Sequence, residues 1–112
     1  MITAATIEEA MYRAMRAAAT RIPADVRIAL ERALAEETDS LAQQHLRVSL
    51  DNFRLATEHH RLVCGDTGFP MYFVSAGAAT SIAGGFATLH SCAAQATSRL
   101  TAEGFLRPTM VD

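Results

Sequence analysis

A mainly α-helical fold with one short β element, an α+β arrangement, is what the sequence predicts, and three observations predict it. Half of the residues are hydrophobic but only 6% are aromatic and none is Trp. The apolar content is therefore mostly Ala, Leu, Val, Ile and Met, and Ala has the highest intrinsic helix propensity. Apolar residues also recur at three- and four-residue spacing through most of the chain. One stretch breaks that pattern: "MYFVSA", 71–76, gathers aromatic and β-branched side chains between Pro70 and Gly77, the composition of a strand. At 112 residues the chain is one domain or part of one.

The elements follow in order. Thr6 and Glu9 have capping-box spacing, and Ile7, Met11, Met15 and Ala18 repeat behind them, which predicts a first helix from Ile7 to Thr20. Pro23 with Asp25 opens a second, whose buried face would be Val26, Leu30, Ala33 and Leu34 and which fades at Glu36 to Thr38. Asp39 and Ser40 are capping types that begin a third. It carries Leu41, Val48 and Leu55 on one stripe and Leu46, Leu50 and Phe53 on the next, a face wide enough to pack against more than one neighbour. After "GAATSIAGG" a last helix aligns Ile82, Phe86, Leu89, Ala93, Ala96 and Leu100, and Gly104 is placed to end it.

Charge and composition exclude several functions. Net charge is -2 and the ten basic residues, all Arg, form no run or stripe, so the basic surface needed for nucleic-acid binding is missing. Without Lys there is no Schiff-base chemistry in these residues. No segment reaches the roughly 18 consecutive apolar residues of a membrane span, and no secretory signal opens the chain, so a cytoplasmic location is expected. Cys64 and Cys92 cannot by themselves build a closed all-thiolate metal site. The pair Gly84-Gly85 lacks the Lys of a phosphate-binding loop and reads as a close-packing or flexible helix start.

The chemistry concentrates in "RLVCGDTGFPMYFV", 61–74. An Asp-Thr-Gly turn is shared with retroviral-type aspartic proteases, where two such turns bring two carboxylates together. Those are almost all-β proteins with an apolar strand running into the Asp, whereas here some sixty helical residues precede Asp66. Centred on Cys64 instead, a thiolate can ligate iron, and Gly65 and Gly68 allow a turn that points Asp66 into the same pocket, with Thr67 beside it.

This second arrangement resembles the class I (iron-sulfur) fumarases and L-tartrate dehydratases, whose α part carries "CQDTG" between a long helix and an apolar strand ending in Gly. The chain has "CGDTG" followed by "FPMYFVSAG". Upstream lie the family's paired helices, a Pro opening the second, and an "N-x-x-x-A" phrase at Asn52 to Ala56; downstream "LRPTMVD" is similar to "LRPNVVD". The resemblance implies the N-terminal part of an iron-sulfur hydro-lyase α subunit that adds or removes water at a small dicarboxylate of the fumarate/malate or tartrate/oxaloacetate type. It implies a 4Fe-4S cluster on three cysteines, with Cys64 as one ligand, Asp66 and Thr67 catalytic, and Asp66, Thr67 and Gly68 lining the substrate pocket. A β subunit or β region and an oligomeric assembly are implied as partners. Gly65 stands where the family has Gln, which leaves the substrate open, and the family's other two cluster cysteines lie beyond these residues. These 112 residues alone are then expected to be inactive, and the stop after "RPTMVD" is expected of a piece of a longer α chain. A non-catalytic helical interaction module that retains the fold is the alternative.

Other polar residues have plainer readings. Cys92 sits on the flank of the Leu89-Ala93 stripe and is expected to pack in the core. His59 and His60 could reach the pocket but at a helix end more often meet terminal carbonyls. His45 and His90 are expected at the core edge, and Met11 and Met15 as core filler.

Overall fold

The computed structural model describes residues 1–65 and 68–108. Among them are four helices: α1 (Ala4–Thr20), α2 (Ala24–Glu36), α3 (Ser40–His59) and α4 (Thr88–Ala102). The chain divides into two compact units, one of residues 1–17 with 66–112 and one of residues 18–65.

In the first unit α1 begins earlier than the predicted capping box at Thr6 and Glu9. The Thr3 hydroxyl accepts from the Thr6 N–H at 3.3 Å, so the cap lies three residues upstream and Thr6 is inside the helix. Glu9 is thereby free of capping and pairs with Arg13 and Arg99 instead. The core joins Met11 and Tyr12 of α1 to Cys92, Ala96 and Leu100 of α4, with Met15, Leu89 and Phe105 packed against them. Cys92 is a core residue, as its helical position predicts, and its thiol donates to the Ala4 carbonyl at 3.4 Å. Gly104, at φ 81°, ends α4 in a left-handed turn, and the Phe105 N–H returns to the Leu100 carbonyl at 2.9 Å.

Three expectations for this unit are corrected. The segment 71–76 is not a strand, and no strand forms among the described residues. A strand exists only as a member of a ladder, and this one has no neighbour to pair with; Met71, Phe73 and Val74 face solvent, Phe73 at 91% exposure. Among the described residues, β pairing lies elsewhere, in a parallel bridge between Ile2 and Ile82. That bridge takes Ile82 out of the predicted helical stripe. Gly84 and Gly85, at φ 80° and 77°, then turn the chain before α4 starts, and Phe86 is left exposed. A Cβ on Gly84 would stand 2.6 Å from Thr88 Oγ1, so only glycine fits the turn. His90 is exposed rather than at the core edge.

In the second unit Pro23 precedes α2, with Asp25 in the first turn where its charge complements the helix dipole. The Asp39 carboxylate caps α3 by accepting from the Ala42 N–H at 2.9 Å. The two helices pack against each other, and Leu30 and Leu34 of one and Leu46, Leu50 and Phe53 of the other are partly buried. The predicted stripe of Leu41, Val48 and Leu55 on α3 is not covered: Leu41 and Val48 are 61% exposed and Leu55 is exposed, as is Val26 of the predicted buried face of α2. His45 is exposed too. Among the described residues no helix is long and apolar enough to cross a membrane.

Candidate functional site

The segment leading to Cys64 is shaped by the end of α3. His60 adopts the left-handed conformation at φ 51°, which stops the helix, and the N–H groups of His60 and Arg61 converge on the Ala56 carbonyl, the latter at 2.9 Å. Ala56 is buried at 3% exposure, and its small side chain lets the chain fold back over it. His59 and His60 are exposed and occupy the last helical position and the cap; His59 lines a shallow surface hollow with Asn52 and Arg61.

Two residues on, Val63 is held by both of its backbone groups. Its N–H donates to the Ala19 carbonyl at 3.0 Å, and its carbonyl accepts from Asn52 Nδ2 at 2.7 Å. The Val63 carbonyl and the Cys64 N–H share one peptide plane, so these bonds orient the start of Cys64. Cys64 is exposed and forms no disulfide.

Asp66 and Thr67 lie outside the described residues. Gly68 is exposed in the other unit, where a methyl group would meet nothing within 4 Å, so its neighbours do not demand glycine. It lines a groove along α4 together with Tyr72, His90, Thr97 and Thr101. The Tyr72 hydroxyl is buried without a hydrogen-bond partner among the described residues.

Cys92 is buried in the core, and among the described residues no three His, Cys, Asp or Glu side chains gather into a set that could hold an ion. One exposed thiol on a hydrogen-bonded loop suits a single ligand of a larger cluster. The sequence marks Asn52 in the N-x-x-x-A phrase, but its bond to Val63 is the feature that sequence reasoning missed. Its signal is an Asn in the interior of a long helix, where that residue is intrinsically disfavoured and usually has a side-chain partner elsewhere.

A family model described as fumarate hydratase (Fumerase) matches residues 8–112. The chain is 32% identical over 71 residues to a protein of Methanocaldococcus jannaschii provisionally named L(+)-tartrate dehydratase subunit alpha, covering 63% of this chain and 25% of that one. It is 30% identical over 105 residues to a protein of Geobacillus stearothermophilus provisionally named fumarate hydratase class I, covering 93% of this chain and 20% of that one. The chain thus spans a quarter or less of the relatives it matches. With the Cys64 loop followed by Asp66, Thr67 and Gly68 and a match across nearly every residue, the chain belongs to the fumarate hydratase (Fumerase) family.

Proposed function

We propose that these residues form part of an iron-sulfur hydro-lyase that adds water to, or removes it from, a small dicarboxylate of the fumarate/malate or tartrate/oxaloacetate type. The observation that carries the reading is the exposed Cys64 thiol, on a loop fixed by Asn52 and Ala19, immediately ahead of Asp66, Thr67 and Gly68. A 4Fe-4S cluster with one open iron would supply Lewis acidity toward the substrate's hydroxyl and carboxylate. Cys64 is one ligand, and the others come from outside these residues. Asp66 holds or moves the proton at the substrate carbon or hydroxyl, Thr67 orients it, and Gly68 leaves room for the substrate at the pocket wall. A β subunit or β region completes the substrate site, the assembly is oligomeric, and a reducing, cytoplasmic compartment keeps the thiol available. Gly65 provides no side-chain amide, so the choice among hydroxy-diacids rests on other residues.

The test uses the complete protein with any chain that copurifies, prepared without oxygen. C64S is expected to lose the cluster absorbance, the bound iron and the activity. D66N is expected to keep the iron and lose turnover by about 10²- to 10⁴-fold, the usual contribution of a positioned acid or base. Unchanged iron content in C64S would overturn the ligand assignment and turn attention to a non-catalytic binding role.

A further inference from the structure

We propose that Asn52 is a positioning residue for the cluster ligand: its side-chain amide fixes the peptide plane that enters Cys64, and so sets where that thiolate meets iron. The proposal rests on the function proposed above for Cys64. Its own support is geometric. Asn52 lies in the middle of α3, eleven residues before Val63, and its Nδ2 reaches the Val63 carbonyl at 2.7 Å. Val63 is anchored from the other side by the bond from its N–H to the Ala19 carbonyl. Between Asn52 and Val63 the chain is drawn tight by the left-handed His60 and by Arg61 returning to Ala56. One turn of helix separates Asn52 from Ala56, so one helix face both caps the helix and grips the loop that follows.

Position demands an amide here. Asp at the same place would have nearly the same shape but would set a carboxylate against a carbonyl oxygen, with no proton to share. The bond is exposed, so its loss is a local event and leaves the core of Met11, Cys92 and Leu100 in place.

The experiment compares N52A, N52D and C64S in the complete protein. In the iron-free form, hydrogen exchange of the Val63 amide is read alongside the amides of Leu100 and Tyr12. In the loaded form, the rate at which a chelator removes iron is read by the decay of the cluster absorbance. N52A and N52D are both expected to speed Val63 exchange about fivefold, the ratio by which one lost hydrogen bond shifts a local opening. Both are expected to speed iron loss by at least as much, while core amides exchange as before. Unchanged Val63 exchange, or iron loss at the original rate, would overturn the proposal, and wild-type behaviour of N52D would show that side-chain volume and not the donor matters. Iron retained by C64S would mark failure of the ligand assignment itself, a result distinct from any behaviour of the Asn52 variants.

Discussion

Tyr12 is buried between two helices, and a buried phenol needs an acceptor. Glu103, 91 residues away, accepts its hydrogen bond, and Arg99 lies 3.7 Å from the ring centroid while its guanidinium reaches Glu9 at 3.0 Å and Glu103 at 3.3 Å. The hydrogen bond from Tyr12, then Arg99, holds the Glu103 carboxyl below its ordinary value of 4.5, and the same bond raises the Tyr12 phenol above 10.0. The sign follows from linkage. Glu103 contributes stability above pH 4.5 that is lost as pH falls through its lowered value; Tyr12 contributes stability below pH 10.0 that is lost as pH rises through its raised one. In a Y72F background, which leaves Tyr12 as the remaining tyrosine, E103A is expected to bring the tyrosinate absorbance titration down toward 10.0 and to flatten the acid limb of unfolding. A titration that does not move would rule out this network.

Helix ends decide where the elements stop, and the two ends of α3 make opposite predictions. D39A removes the side-chain cap at Ala42 and is expected to cost about 1 kcal/mol. H60G relieves the non-glycine left-handed residue at the other end and is expected to add roughly 0.5 kcal/mol, the strain recovered less the extra freedom of the unfolded chain. Denaturant midpoints that shift in the same direction for both variants would refute this account. At this scale the sequence was a good guide wherever the signal is local: Pro23, Asp39 and Gly104 mark boundaries that the structure keeps. It failed at the start of α4, where the stripe of Ile82 and Phe86 continues the helical period but the two left-handed glycines break the backbone. It failed at 71–76 because strand composition says nothing about the presence of a pairing neighbour.

The first unit is held by a small core. Leu100 is fully buried among Met11, Tyr12 and Ala96, whereas Phe73 is almost wholly exposed in the same unit. L100A is therefore expected to cost about 2–5 kcal/mol. F73A should stay within about 0.5 kcal/mol of the original stability and reduce self-association of these 112 residues, as removal of an exposed apolar side chain does. Denaturation with sedimentation checks both; equal destabilisation by the two variants would mean that Phe73 is packed and not exposed.

By itself the sequence determined the helical class, four helices with most of their ends, the burial of Cys92 and the motif that leads from Cys64 to Gly68, because propensity, capping and periodicity act over a few neighbouring residues. Tertiary structure decided which predicted faces found a partner. It buried Leu100 and left Leu41 and Val48 in solvent, paired Ile2 with Ile82, and tied Tyr12 to Glu103 and Asn52 to Val63. Those outcomes depend on groups that meet only when distant segments pack, and no local pattern in the chain encodes the distance between them.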